Sequence, residues 1–334
     1  MSESHHAITE GLRRAGLIAA GEVPVITALS GGVSCDVFRV DTAKRTLCAK
    51  RALPQLRVAT VWEAPVDRSH YEVEWLDVAR AAGLNVPRVI AELADEHVFF
   101  MDWFTPEDNP VWKAELAAGR IDPAFAAAVG LALAAIHTAT HDEPAIAARF
   151  PTGALFTALR IEPYLLHTAR AHPDLAGVLE GIAERTLATR TALVHGDVSP
   201  KNILCGRAGP VMIDAECAWY GDPAFDLAFC ATHLLLKGIW HPQWCAQTDA
   251  AFAALHTAYL DRTAPALRGE IEQRAIPLLA AILLARIDGR SPVEYLTDEA
   301  DRDRVRRAAR QLLQTPPPAL AEFGKRWRQL TGNP

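Results

Sequence analysis

Short apolar runs separated by Gly, Asp and charged turns fill the first hundred residues of this 334-residue chain. VPVITAL (23–29), VFRV (37–40), TLCAKRA (46–52), VPRVI (86–90) and HVFFMDWF (97–104) are rich in β-branched or aromatic residues, which predicts strands. One segment has a different period. RSHYEVEWLDVARAAGL (68–84) places apolar residues at 71, 75, 76, 79 and 82, predicting a helix that ends at Gly83. From about residue 105 the texture becomes Ala- and Leu-rich. IDPAFAAAVGLALAAIH (121–137) opens with Asp122 as N-cap and Pro123 at the first helical position. It is apolar all round for three turns, so the pattern predicts the buried central helix of this half. NILC and VMID (211–214), joined by GRAGP, predict a hairpin, after which helices resume past Pro223 and break only at TPPP (315–318). The fold class is therefore α+β, with a small β-rich lobe (1–104), a larger mostly helical lobe (105–334) and a cleft between them as the default site.

Composition narrows this picture without changing it. Half of the residues are hydrophobic, enough for a large core and against extensive disorder. The N-terminus lacks the apolar region of a signal peptide, and the most apolar stretches (123–136 and 275–285) are too short to span a bilayer. A soluble, cytoplasmic protein is expected. The six cysteines form no CxxC pair and the twelve histidines show no metal-binding spacing, so neither disulfides nor a structural metal are expected. Net charge is −6, but residues 61–110 hold eleven acids against three arginines, leaving the remainder at +2. DRDRVRRAARQ (301–311) alternates in sign and reads as a solvated helix face, so no nucleic-acid footprint is expected.

The chemistry concentrates in LVHGDVSPKNILC (193–205), where Asp197 follows His195 by two residues and precedes Asn202 by five. The second hairpin strand leads into Asp214, which returns beside the turn carrying Asn202. An amide oxygen and a carboxylate converging there are hard ligands suited to Mg²⁺, which completes its shell with waters and phosphates. Asp197 faces the same space and is placed to accept or orient a hydroxyl proton. The order D-x4-N…D is the arrangement of phosphoryl transfer, and the HGD lead-in with the following ID-x-E…GDP-x-x-D makes the pattern specific.

At these residues the chain resembles the aminoglycoside phosphotransferase and choline kinase family, whose members have bilobal protein-kinase-like folds. VHGDVSPKNIL is similar to its HGDxxxxN catalytic loop, and VMIDAECAWYGDPAFDLA to its metal-binding Asp and GDPxxDLA signature. LPQLRVATVWEAPVDRSHYEVEWL (53–76) is similar to the corresponding region of methylthioribose kinases. The resemblance covers most of residues 20–235. It implies Asp197 as catalytic base, Asn202 and Asp214 as Mg²⁺ ligands, and Lys50 on the α- and β-phosphates of ATP. Glu72 matches the family spacing for the lysine's partner; Glu74 is the alternative. LSGGVSCDVFRV (29–40), with Gly31, Gly32 and Ser34, corresponds to the phosphate-covering loop, and FFMDWF, with Met101 and Trp103, to the adenine hinge. Glu216 is a further metal candidate or a solvent-facing side chain. His195 is expected to brace the catalytic loop by hydrogen bonds, and Asp222 and Asp226 to be mainly structural.

Two departures from the kinase pattern stand out. The lysine that protein kinases carry two residues after the catalytic Asp is Ser199 here, and the direction of Lys201 is open. The family's Ser-Asn in the glycine loop is Ser34-Cys35. Only residues 215–220 separate Asp214 from the GDP signature, leaving no room for an activation segment or peptide platform. The resemblance and these spacings together imply an enzyme that moves the ATP γ-phosphate to a hydroxyl of a small molecule, with no required protein, membrane or nucleic-acid partner. Residues 251–334 carry ten acids against thirteen Lys and Arg, which tilts the acceptor away from a polycation and toward a neutral or weakly charged sugar or amino alcohol. A catalytically inactive nucleotide-binding scaffold is the alternative, and an antibiotic-resistance kinase a third possibility. Lys50, Asp197, Asn202 and Asp214 are all present, which disfavours the scaffold.

Overall fold

The computed structural model describes residues 3–29, 35–53 and 65–332. After helix α1 (Glu3–Arg14), five strands follow in the first hundred residues: β1 (Val25–Ala28), β2 (Cys35–Asp41), β3 (Thr46–Ala52), β4 (Val89–Leu93) and β5 (Val98–Asp102). They form one antiparallel sheet in the order β1-β2-β3-β5-β4, with helix α2 (Arg68–Ala81) inserted between β3 and β4. Side chains alternate across a strand, and here the alternation divides two cores. Leu47, Ala49, Val98 and Phe100 pack with Ile8 and Leu12 of α1. Cys48, Phe99 and Met101 point the other way, into the cluster shared with Trp75 and Leu76 of α2. Lys50, two residues from Cys48, lies on that second face.

The remainder is mostly helical. Helices α3 (Trp112–Ala117), α4 (Pro123–Ala139), α5 (Pro144–Arg149) and α6 (Gly153–Phe156) run into a π-helical stretch over Thr157–Leu166. Then come α7 (His167–Ala171) and α8 (Ala176–Ala188). Four short strands follow: β6 (Ala192–Val194) pairs with β9 (Trp219–Gly221), and β7 (Ile203–Gly206) with β8 (Gly209–Met212) in the expected hairpin. Helices α9 (Ala224–Trp240), α10 (Cys245–Arg262), α11 (Pro265–Asp288), α12 (Glu299–Gln314) and α13 (Leu320–Thr331) complete the fold. Among the described residues no helix is long and apolar enough to cross a membrane. The six cysteines are free.

One expectation is corrected. Residues 121–137 form a helix, with the Asp122 carboxylate accepting from the Ala124 amide, but it is not the buried centre. Leu131 is 47 % exposed, and the alanines of the outer face are small enough to meet solvent at little cost. The buried axis is α9, whose residues Ala224 to Ile239 are all buried, including Asp226, His233 and Lys237.

Helices α4 and α10 approach closely because position 130 has no side chain. A Cβ on Gly130 would lie 2.3 Å from the Leu255 carbonyl oxygen, a backbone atom that cannot turn aside. Gly130→Ala is therefore expected to cost about 1–3 kcal/mol of stability by overpacking. Urea unfolding measures this, and an unchanged midpoint would contradict the packing described.

Candidate active site

The catalytic-loop sequence is held by backbone geometry first. Gly196 adopts φ +77°, and a Cβ there would meet the Cys217 carbonyl oxygen at 2.5 Å, so this position of His-Gly-Asp requires glycine. The amides of His195 and Gly196 donate to the two oxygens of buried Asp226 at 2.8 and 2.9 Å. His137 faces the same carboxylate at 3.3 Å. Asp222 is fixed by Arg274 at 3.0 Å and accepts from the Ala224 amide at the start of α9.

His195 is a brace. Its Nε2 lies 3.1 Å from the Ile213 carbonyl, which can only accept, while its Nδ1 accepts from the Asp197 amide at 3.2 Å. Those partners select the neutral Nε2–H tautomer. Burial pushes the imidazole below its ordinary value, against the pull of Asp226 and Asp197, which agrees with that form.

Three polar groups converge on the Asp197 carboxylate. Asn202 Nδ2 donates to its Oδ2 at 2.9 Å and to its carbonyl at 3.0 Å, fixing the loop and leaving Asn202 Oδ1 without those obligations. Arg160 Nη2 and Lys201 Nζ each lie 3.0 Å from the same Oδ2. Burial alone would raise the Asp197 carboxyl, but Lys201 and Arg160 outweigh it and hold the group well below the usual carboxylate range. Both cations favour its anionic form. Arg160 comes from the π-helical stretch, a segment with no recognisable signal in the sequence. Lys201, whose direction the sequence left open, points inward, with its Nζ 4.0 Å from Asp214 as well.

Across the cavity, Lys50 Nζ sits between two carboxylates, 2.6 Å from Glu72 Oε2 and 2.6 Å from Asp214 Oδ1. Burial by itself lowers the ammonium, yet Asp214 and Glu72 together hold it well above the ordinary lysine value. The structure separates the two partner candidates. Glu72 is fully buried against Lys50, whereas Glu74 turns out to Arg149 at 2.6 Å. Asp214 itself has φ 66°, the left-handed region that a non-glycine residue occupies at a cost. Glu216 does not face solvent: its Oε2 accepts from Arg68 Nε at 3.0 Å and from the Cys35 thiol at 3.6 Å.

One cavity of about 820 Å³ is bordered by Lys50, Asp197, Asn202, Asp214 and Glu216 together with Met101 and Trp103 at the end of β5. Trp103 directly follows β5 and borders the cavity together with Met101. Gly31, Gly32 and Ser34 lie outside the described residues. Two oxygen donors, Asn202 Oδ1 and Asp214, suit a hard cation that takes its other ligands from phosphates and water. Among the described residues there is no cluster of three His, Cys, Asp or Glu that would bind a metal unaided.

Comparison with known proteins bears on the family and the fold. The pattern of the phosphotransferase enzyme family (APH) matches residues 25–269. A methylthioribose kinase of Pectobacterium atrosepticum is 28% identical over 228 residues, 60% of this chain and 57% of that protein. The chain thus spans less than two thirds of that relative's length. In structure, a choline/ethanolamine kinase family protein from Mesorhizobium loti superposes with a TM-score of 0.52 at 17% identity, covering 98% of this chain and 99% of the other. An amicoumacin kinase solved with AMP-PNP and Ca²⁺ gives 0.54 at 13% identity over 97% and 98%. At such identities these two likenesses show the bilobal, protein-kinase-like fold.

The loop geometry makes Asp226 indispensable although it does not border the cavity. Asp226→Ala would leave two buried amides and His137 without their acceptor, for an expected loss of about 3 kcal/mol. Chemical denaturation tests this, and a loss near zero would show that the loop holds its shape by other means.

Proposed function

The chain belongs to the phosphotransferase enzyme family, and on that footing we propose that it transfers the γ-phosphate of ATP to a hydroxyl group of a small molecule. One observation supports this above the rest: Lys50, pinned between Glu72 and Asp214, faces the same cavity as Asp197 and Asn202. A cation for phosphates, two oxygen donors for a metal and an anionic acceptor for a proton are the parts phosphoryl transfer needs.

In this reading adenine lies against the end of β5, beside Met101 and Trp103. Lys50 binds the α- and β-phosphates. Asn202 and Asp214, with Glu216 as a further candidate, would hold Mg²⁺, which supplies charge neutralisation on the β- and γ-phosphates when bound. Asp197 orients the acceptor hydroxyl and takes its proton as the oxygen attacks the γ-phosphorus. The bond to the β,γ-bridging oxygen breaks and ADP leaves. Arg160 keeps Asp197 anionic and in place, so its task is to align the hydroxyl from the outset rather than to await deprotonation. Lys201 lies between Asp197 and Asp214, where the transferring phosphoryl would pass. It thereby supplies the charge that Ser199 cannot. The opening at Lys201 is half-exposed, as access for a diffusible acceptor requires.

Coupled ADP release with Mg-ATP tests the proposal against a panel of methylthioribose, simple sugars, amino alcohols and aminoglycosides. Methylthioribose belongs in it because the matched relative bears that name. Asp197→Asn is expected to lower kcat by roughly 10²–10⁴-fold while Mg-ATP still binds. Asp214→Ala is expected to abolish the Mg²⁺ dependence of nucleotide affinity. Wild-type turnover in the first variant, or unchanged binding curves in the second, would overturn the respective assignment.

A further inference from the structure

The helical wall of the cavity carries cations that the phosphoryl transfer does not use. Lys237 of α9 and Arg286 of α11 both border the cavity and are only 2% and 9% exposed. Neither has a carboxylate partner among the described residues. Lys237 Nζ is packed instead on the rings of Tyr295 and Trp240, 3.8 and 4.2 Å from their centroids. Arg286 spends Nη1 on Ser291 and on the Tyr164 hydroxyl at 3.2 Å, and its buried Nε has no hydrogen-bond partner. The Tyr295 hydroxyl, on the same wall, is also buried without a partner. Glu294, which borders the cavity beside them, is held by the exposed Lys113 at 2.5 Å.

This arrangement is costly for a protein with no use for it. A buried cation without a carboxylate in direct contact, and a buried donor without an acceptor, each destabilise the fold. Burial, reinforced by Lys113 and opposed by Glu294, brings the Lys237 ammonium down to about 8. His233, one helical turn before Lys237 on the same face of α9, is pushed well below its ordinary value by burial and by Arg286. Both causes favour its neutral form. The wall also connects to the transfer site. Arg160, which holds Asp197, and Arg286 both lie against the Tyr164 ring, at 6.0 and 5.8 Å from its centroid.

We propose that this wall is an anion subsite, and that the acceptor is a hydroxyl compound bearing a carboxylate or a phosphate ester. Lys237 and Arg286 receive the charge and Tyr295 donates a neutral hydrogen bond. The word acceptor rests on the phosphotransferase reading; the anion site does not.

Isothermal titration in saturating Mg-ADP, which keeps the nucleotide's own phosphates out of competition, tests it with gluconate, glucose 6-phosphate, glucose and glucosamine. At least one anionic member is expected to bind tenfold or more tightly than glucose, and glucosamine no better than glucose. Gluconate against the phosphate ester tells which anion the wall prefers. Lys237→Met should abolish the preference, and Lys237→Arg, which keeps the charge and guards against a folding defect, should restore most of it. Equal affinity across the series, or an anion affinity unchanged within twofold in Lys237→Met, would overturn the subsite. ADP release with Mg-ATP is read in parallel. Preferential anion binding with no ADP release from any member would count against the transfer reading and leave the subsite standing.

Discussion

A single ammonium group, Lys50 Nζ, joins the parts of this molecule that must act together. It lies 2.6 Å from a carboxylate on α2 and 2.6 Å from another just beyond β8, so one cation ties the sheet, its inserted helix and the catalytic hairpin to a common point. Taking these charges out of water costs several kcal/mol per ion, and removing one partner would leave the others buried and unmatched. The contact is therefore better understood as a positioning device than as a source of stability. Helix α2 extends it: Arg68, Glu72 and Trp75 occupy one face at helical spacing. Arg68 reaches Glu216, Glu72 reaches Lys50, and Trp75 packs edge-on against His195 with ring centroids 4.8 Å apart. The orientation of one helix thus governs three points of the cavity.

Opposite Lys50, the catalytic loop is built from constraints that do not border the cavity. Asp226 collects two amides, His195 Nδ1 accepts from the Asp197 amide, and glycine at 196 permits the turn. Two cations then converge on Asp197 from different directions, Arg160 from the π-helical stretch and Lys201 from the loop itself. In the proposed reaction, a carboxylate already fixed by two cations would need little reorganisation on substrate binding.

Much of this was legible in the sequence, for identifiable reasons. Strands β1, β2, β3 and β5 announced themselves by β-branched and aromatic runs. Strand β4 (Val89–Leu93) starts three residues later than the run VPRVI (86–90) suggested, because Pro87 cannot donate to a ladder. Glu72 fits the family spacing to Leu76, and helix geometry says only that Glu72 and Glu74 face different ways. Asp197, Asn202 and Asp214 share a short local motif, so their convergence needed only one hairpin. Arg160 was missed because nothing local marks it; its role arises from a tertiary approach to the loop. The acceptor end was blurred for a related reason. Counting charges over 251–334 records composition and not pairing. Arg306 and Arg310 of α12 are matched by Asp288 and Asp174, whereas Arg286 has no carboxylate partner among the described residues, and Lys237 lies before the counted range. The buried-helix expectation for 121–137 failed because alanine satisfies an apolar pattern and a half-exposed face equally well.

The most direct measurement is a crystal structure of the protein with Mg²⁺ and a non-hydrolysable ATP analogue. Lys50 should keep Glu72 and turn its remaining hydrogen-bonding capacity from Asp214 to the α- and β-phosphates, while Asp214 and Asn202 Oδ1 ligate Mg²⁺. The γ-phosphate should lie within reach of Lys201, and the space beside Asp197 should remain open toward Lys237 and Arg286. A nucleotide bound elsewhere, or a Lys50–Asp214 pair undisturbed by an occupied cavity, would contradict this assignment of the site.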